Sequence, residues 1–133
     1  MTASVLVTEH PAGDRVVGQL TLNVEKTLNS LTREMVDIIS DRLEAWARDD
    51  NVVAVLIDGA GEKAFCAGGD VQALRNSCLE NPGGPCEYAE HFFAREYRMN
   101  YLLHTYRKPL VCWGHGVVMG GGLGILAGCR YRV

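Results

Sequence analysis

A chain of 133 residues, 47% apolar and 22% charged, has the balance of one ordinary globular domain and excludes a disordered segment. With a net charge of -3, no run of Lys and Arg, and no apolar run long enough to span a bilayer, neither nucleic acid nor a membrane is an expected partner. The five cysteines, Cys66, Cys78, Cys86, Cys112 and Cys129, form no C-x-x-C pair, which argues against a disulfide framework and a structural zinc site and fits a reducing compartment. Met1-Thr2-Ala3-Ser4 carries no cationic or long apolar leader, so the expected location is the cytoplasm, or the mitochondrial matrix if the source is eukaryotic.

Val5 to Thr8 and Arg15 to Leu22 read as two antiparallel strands joined by the turn Pro11-Ala12-Gly13-Asp14. Thr32 caps a helix to about Arg48, with Met35, Ile38, Ile39, Leu43 and Trp46 on its buried face. Val52 to Ile57 is apolar without alternation and predicts a parallel strand covered on both faces. Asp70 predicts a short helix through about Leu74, followed by a surface loop from Asn76 to Pro85. A long helix is expected from Glu87, with Tyr88, Phe92, Met99, Leu103 and Tyr106 on one stripe, ending before Pro109. Pro109 to Trp113 reads as a buried strand, and Leu123 to Ala127 as the start of a helix. The alternation makes an α/β fold, and Arg130 to Val133 has the look of entry into a further strand.

Two glycine-rich turns stand before possible helices: Lys63-Ala64-Phe65-Cys66-Ala67-Gly68-Gly69-Asp70 and Gly116-Val117-Val118-Met119-Gly120-Gly121-Gly122. Glycine lets backbone approach a ligand closely, and N–H groups at a helix start point outward with the positive end of the dipole behind them. One donor from each turn can clamp a carbonyl oxygen as it gains charge. Either turn alone is also an ordinary tight turn. Glu96 is the carboxylate of interest, because helical spacing sets it four after Phe92 and three before Met99, among apolar residues. It either reaches water or pairs with Arg95 or Lys108, or it faces a pocket where burial raises its pKa.

The paired turns, with Lys108-Pro109 opening the strand before the second, resemble the crotonase (enoyl-CoA hydratase/isomerase) superfamily. His91-Phe92-Phe93-Ala94-Arg95-Glu96-Tyr97 and Met119-Gly120-Gly121-Gly122 are most similar to its 3-hydroxyisobutyryl-CoA hydrolase branch. The resemblance covers nearly all of residues 1–133 and implies a crotonase-like ββα superhelix of which this is the N-terminal part. It implies oxyanion-hole donors at the backbone N–H groups of Gly69 and Gly121, and a substrate-contacting Glu96. It further places Ala67 and the backbone around Lys63 and Ala64 at the adenine end of coenzyme A, and Lys26 with the Leu28 backbone at the CoA entrance. A solvated surface lysine is the other reading of Lys26. No cofactor is implied beyond the coenzyme A carried by the substrate. The expected partners are an acyl-CoA, the remainder of the chain, and further copies in a homo-oligomer.

Crotonase hydratases carry a catalytic Glu three residues after the oxyanion glycine, a position held here by Gly124, which can neither give nor take a proton. The hydrolase branch places its catalytic Glu and Asp further along, past residue 133. Hydrolysis of a 3-hydroxyacyl-CoA is therefore the leading expectation, with hydratase/isomerase activity and non-catalytic acyl-CoA binding as alternatives. A competing enzyme class rests on Gly122-Leu123-Gly124-Ile125-Leu126-Ala127, which matches the dinucleotide pattern G-x-G-x-x-A. His10, His91, His104 and His115 have no metal-ligand spacing, and Cys66 reads as a small buried filler or, less simply, a nucleophile.

Overall fold

The computed structural model describes residues 3–133. Its main sheet has five strands in the order β1 (Val5–Ala12), β2 (Arg15–Leu22), β3 (Val52–Gly59), β5 (Leu110–Cys112) and β7 (Tyr131–Arg132). β1 and β2 are antiparallel, and β2–β3, β3–β5 and β5–β7 are parallel. A second sheet pairs β4 (Ala64–Cys66) with β6 (Val117–Val118), also in parallel. Four helices connect the strands: α1 (Arg33–Arg48), α2 (Val71–Glu80), α3 (Glu87–His104) and α4 (Gly121–Gly128). The α/β class expected from the sequence is the class observed.

Thr32 caps α1 as expected, its Oγ1 accepting the Met35 N–H at 3.2 Å. The apolar face of that helix meets the sheet. Trp46 lies flat on Gly18, where a β-carbon would come within 2.5 Å of the indole, and its Nε1 donates to Glu9 at 3.2 Å. The far end of α1 is held by the α3–β5 connection, through Tyr106 donating to Leu43 O at 2.7 Å and Lys108 to Trp46 O and Asp49 O. Leu20, Leu43, Ile57, Phe65, Phe92 and Met99 share one continuous core. α3 is aligned against α1 by Arg95, whose Nε donates to Asp37 at 2.8 Å.

Several expected boundaries move. β1 runs on through Pro11 and Ala12, tolerable because it is an edge strand, and the turn shrinks to Gly13-Asp14. α2 reaches Glu80 rather than Leu74, so the expected loop begins at Asn81. Leu74, Ser77 and Cys78 keep helical backbone although they bury little. β3 is fully buried at Val52, Val55 and Ile57, but Val53, Ala54 and Leu56 are only half-buried. Trp113 falls outside β5 and is exposed. α4 starts at Gly121, two residues earlier than expected, which puts the second glycine turn at the helix N-terminus itself.

Candidate active site

The β4–β6 pairing brings the two glycine turns side by side. Val117 N–H donates to Lys63 O and Met119 N–H to Cys66 O, each at 3.1 Å, and across a register shift between Ala64 and Cys66 the two chains leave the strands side by side. A β-carbon on Gly68 would lie 3.3 Å from Met119 O and 3.8 Å from the Gly121 nitrogen. Gly68 itself has φ of 115°, and Gly120, which caps α4, has φ of 52°, conformations that L side chains rarely adopt.

Leu31 completes the arrangement. Its N–H donates to Gly68 O at 2.7 Å and its carbonyl accepts the Asp70 N–H at 2.8 Å, a parallel bridge to the first turn. In such a bridge the intervening residue presents its own N–H and C=O to the opposite side. Gly69 N–H accordingly has no acceptor among the described residues. Gly121 N–H has none either, because the first N–H of a helix has no intrahelical partner. Two half-buried donors thus stand unengaged at the entries of α2 and α4, a combination that can receive a single oxyanion.

Glu96 borders the same place. It is only 7% exposed, and a β-carbon on Gly121 would sit 2.7 Å from its Oε1. The two pairings open to it on sequence grounds are absent: Arg95 is bound to Asp37, and Lys108 to the end of α1. Among the described residues no hydrogen bond reaches the Glu96 carboxylate, and burial holds its pKa above the ordinary carboxylate range. On the next turn of α3, Asn100 faces Gly124, where a β-carbon would lie 3.5 Å from its amide nitrogen; Asn100 Oδ1 is buried without a partner.

A second feature lies on the other side of the first turn. Lys26, Leu28, Lys63 and Ala64 gather around an open cleft of about 470 Å³. Glu25 and Glu62 line it as well, so its two ammonium groups are matched by two carboxylates. Lys26 is exposed. Ala67 is not among the residues lining this cleft; its N–H donates to Leu28 O at 3.0 Å. That bond ties the cleft to the glycine turn.

Asn29 was not apparent from the sequence as part of this region. It is buried at φ of 57°, its Oδ1 accepting the Val24 N–H at 2.8 Å and its Nδ2 donating to Ala60 O at 3.1 Å and Ala64 O at 3.0 Å. One side chain therefore pins the 24–29 segment against β4. Asn tolerates the left-handed conformation better than most residues, and this is the one signal Leu28-Asn29-Ser30 offered.

Two readings left open by the sequence are placed by the fold. Gly122 and Gly124 lie inside α4, their N–H groups bonded to Met119 O and Gly120 O, rather than in a tight turn after a long strand. Gly122 is needed for packing, since a β-carbon there would come within 2.3 Å of Cys66 O. The dinucleotide pattern is thus a by-product of helix packing. Cys66 is fully buried with its thiol pushed up to about 11, by burial above all, which leaves it a filler at neutral pH. His115 Nε2 is 2.7 Å from Gly61 O, at the rim of the cleft and away from the two free N–H groups.

Residues 17–133 match the family profile described as enoyl-CoA hydratase/isomerase. The 3-hydroxyisobutyryl-CoA hydrolase of Danio rerio mitochondria is 41% identical over 87% of this chain and 29% of its own length; the Homo sapiens protein of that name is 39% identical over the same shares. The small ribosomal subunit protein mS47 of Neurospora crassa is 40% identical over 84% of this chain and 22% of its own length. Among solved structures, a carnitinyl-CoA dehydratase from Mycobacterium thermoresistibile superposes with a TM-score of 0.87 at 45% identity, covering 98% of this chain and 36% of that one. An enoyl-CoA hydratase from Rhodobacter sphaeroides gives 0.87 at 35% identity, with the same coverage. The chain spans less than a third of the length of these curated relatives.

Proposed function

Because the chain belongs to the enoyl-CoA hydratase/isomerase family, we propose that it supplies the acyl-CoA-binding N-terminal part of a thioester hydrolase acting on 3-hydroxyisobutyryl-CoA or a close 3-hydroxyacyl-CoA. The observation that carries this reading is the pair of unengaged N–H groups, Gly69 and Gly121, beside the buried Glu96. The thioester carbonyl oxygen lies between the two donors. As water adds to the carbonyl carbon the oxygen gains a full charge, and each fixed donor lowers that barrier by about 3–4 kcal/mol. Collapse of the tetrahedral adduct breaks the C–S bond and releases the carboxylic acid and free CoA. Glu96 orients the acyl group, while the carboxylates that activate water and protonate the thiolate come from outside residues 1–133. The cleft at Lys26, Leu28, Lys63 and Ala64 holds the CoA portion, with Ala67 fixing its wall. No cofactor beyond the substrate's own CoA takes part, and the protein works in the cytoplasm or, in a eukaryote, the mitochondrial matrix.

Gly124 favours hydrolysis over hydration, since it leaves no carboxylate at the position where the family's hydratases carry one. Incubating residues 1–133 joined to the portion that carries the water-activating carboxylates with 3-hydroxyisobutyryl-CoA and, separately, crotonyl-CoA, and following products by mass spectrometry, distinguishes the two. Free CoA from the first substrate, with little water addition to the second, is expected. Efficient hydration without free CoA overturns the hydrolase assignment, and calorimetric binding of NAD with no binding of a CoA thioester overturns the acyl-CoA reading altogether.

A further inference from the structure

The spacing of the cysteines conceals a close pair. Cys78, on the last turns of α2, and Cys86, at the N-cap of α3, are brought together with Sγ atoms 2.7 Å apart, the Cys78 thiol donating to the Cys86 sulfur. The loop between them is the reason. Asn81 Nδ2 donates to Pro85 O at 2.8 Å and Gly84 N–H to Asn81 O at 3.2 Å, while Gly83 turns the chain at φ of 77°. Two proline positions stiffen a loop that is already closed before any sulfur chemistry occurs.

The two thiols are not equivalent. Hydrogen bonding from Cys78, then from Ser77 at 3.4 Å, holds the Cys86 thiol below its ordinary range, against an opposing push from Glu90. Its place at the start of α3 favours the thiolate in the same direction. Cys78 is exposed and Cys86 partly so, whereas Cys66, Cys112 and Cys129 are buried. The Cys78–Cys86 pair is remote in kind from the acyl-CoA chemistry, which calls for no thiol.

We propose that Cys78 and Cys86 form a redox modification site, closed to an intramolecular disulfide by hydroperoxide. The Cys86 thiolate attacks one oxygen of hydrogen peroxide, breaking the O–O bond to give a sulfenic acid and hydroxide. The Cys78 sulfur then attacks the Cys86 sulfur, its proton leaving with the sulfenic oxygen as water. Both sulfurs are oxidised, and one peroxide is reduced to two waters. A soluble dithiol reverses the step. The crosslink joins α2, which begins two residues after Gly69, to α3, which carries Phe92 against Gly69 and Glu96 against Gly121.

The test is peptide mapping of the folded protein after brief exposure to dilute hydrogen peroxide and alkylation of the remaining thiols. Proteolysis after Glu80 separates the two cysteines, so the crosslink registers as two peptides joined by a dithiothreitol-sensitive bond. Expected is that pair as the main product, in a monomer lighter by two hydrogen atoms, with the other three cysteines alkylated only after denaturation. In Cys78→Ser, dimedone should trap a sulfenic acid at Cys86; in Cys86→Ser, Cys78 should form no intramolecular disulfide and should trap roughly tenfold less dimedone than Cys86 does in Cys78→Ser. Oxidation of either residue to sulfinic acid without a crosslink, disulfides only between molecules, or as much sulfenic acid at Cys78 in Cys86→Ser as at Cys86 in Cys78→Ser would overturn the proposal.

Discussion

The carboxylate of Glu96 stands against the backbone of Gly121 so closely that a β-carbon on that glycine would approach Oε1 to 2.7 Å. The helix start that offers a free N–H and the only buried carboxylate among the described residues are therefore one local arrangement. Burial raises the Glu96 pKa, so the folded state binds its proton more tightly than the unfolded chain does. Between the two pKa values the folded state holds more protons, and stability falls as pH rises through that window. Glu96→Gln removes this slope: relative to the parent, its melting temperature should improve as pH is raised from about 4 to 7. A relative loss with rising pH would mean that the ionised carboxylate is stabilised by a partner.

Gly122 and Gly124 sit one turn-fragment apart in α4 and should respond oppositely to alanine. At Gly124 a β-carbon makes ordinary contact with Asn100, at 3.5 Å, so Gly124→Ala should stabilise by up to ~1 kcal/mol through helix propensity. At Gly122 it would come within 2.3 Å of Cys66 O, which belongs to the backbone of β4 and cannot move alone. Gly122→Ala should destabilise by roughly 1–3 kcal/mol. Urea denaturation of both variants checks the sign of each.

Asn29→Asp keeps the acceptor for the Val24 N–H but removes both donations, to Ala60 O and Ala64 O. Leaving two carbonyls without their donor should cost roughly 2–4 kcal/mol and loosen the cleft wall. Chemical denaturation measures the loss. A change within experimental scatter would show that the 24–29 segment is held by something other than this amide.

The legibility of this molecule in its sequence follows the strength of the local signals. Thr32 and the spacing of Met35, Ile39, Leu43 and Trp46 defined α1 to the residue, because cap and periodicity agree. Ser77 and Cys78 gave no such signal, since α2 buries none of its residues fully, and its last two turns read as loop. The two glycine turns and Glu96 were visible from residue type and helical offset alone. That Gly121 opens α4 was not: Gly120, Gly121 and Gly122 argue against a helix locally, and only the fit of Gly122 over Cys66 makes the start there intelligible. The bond from Ala67 N–H to Leu28 O can be read only from the fold, because no local pattern pairs those two segments.

The most direct measurement is thiol release from 3-hydroxyisobutyryl-CoA by residues 1–133 joined to the portion that carries the proposed downstream carboxylates, unmutated as the parent and as two variants at Gly121. Gly121→Pro deletes the N–H at the first helical position, where proline is otherwise well tolerated. Gly121→Ala adds the same β-carbon beside Glu96 but keeps the donor. If Gly69 and Gly121 clamp the thioester oxygen, the parent releases free CoA, and turnover of the proline variant lies roughly 100- to 1,000-fold below that of the alanine variant. Equal turnover in the two variants, or no CoA release by a folded parent that binds the thioester, would contradict it.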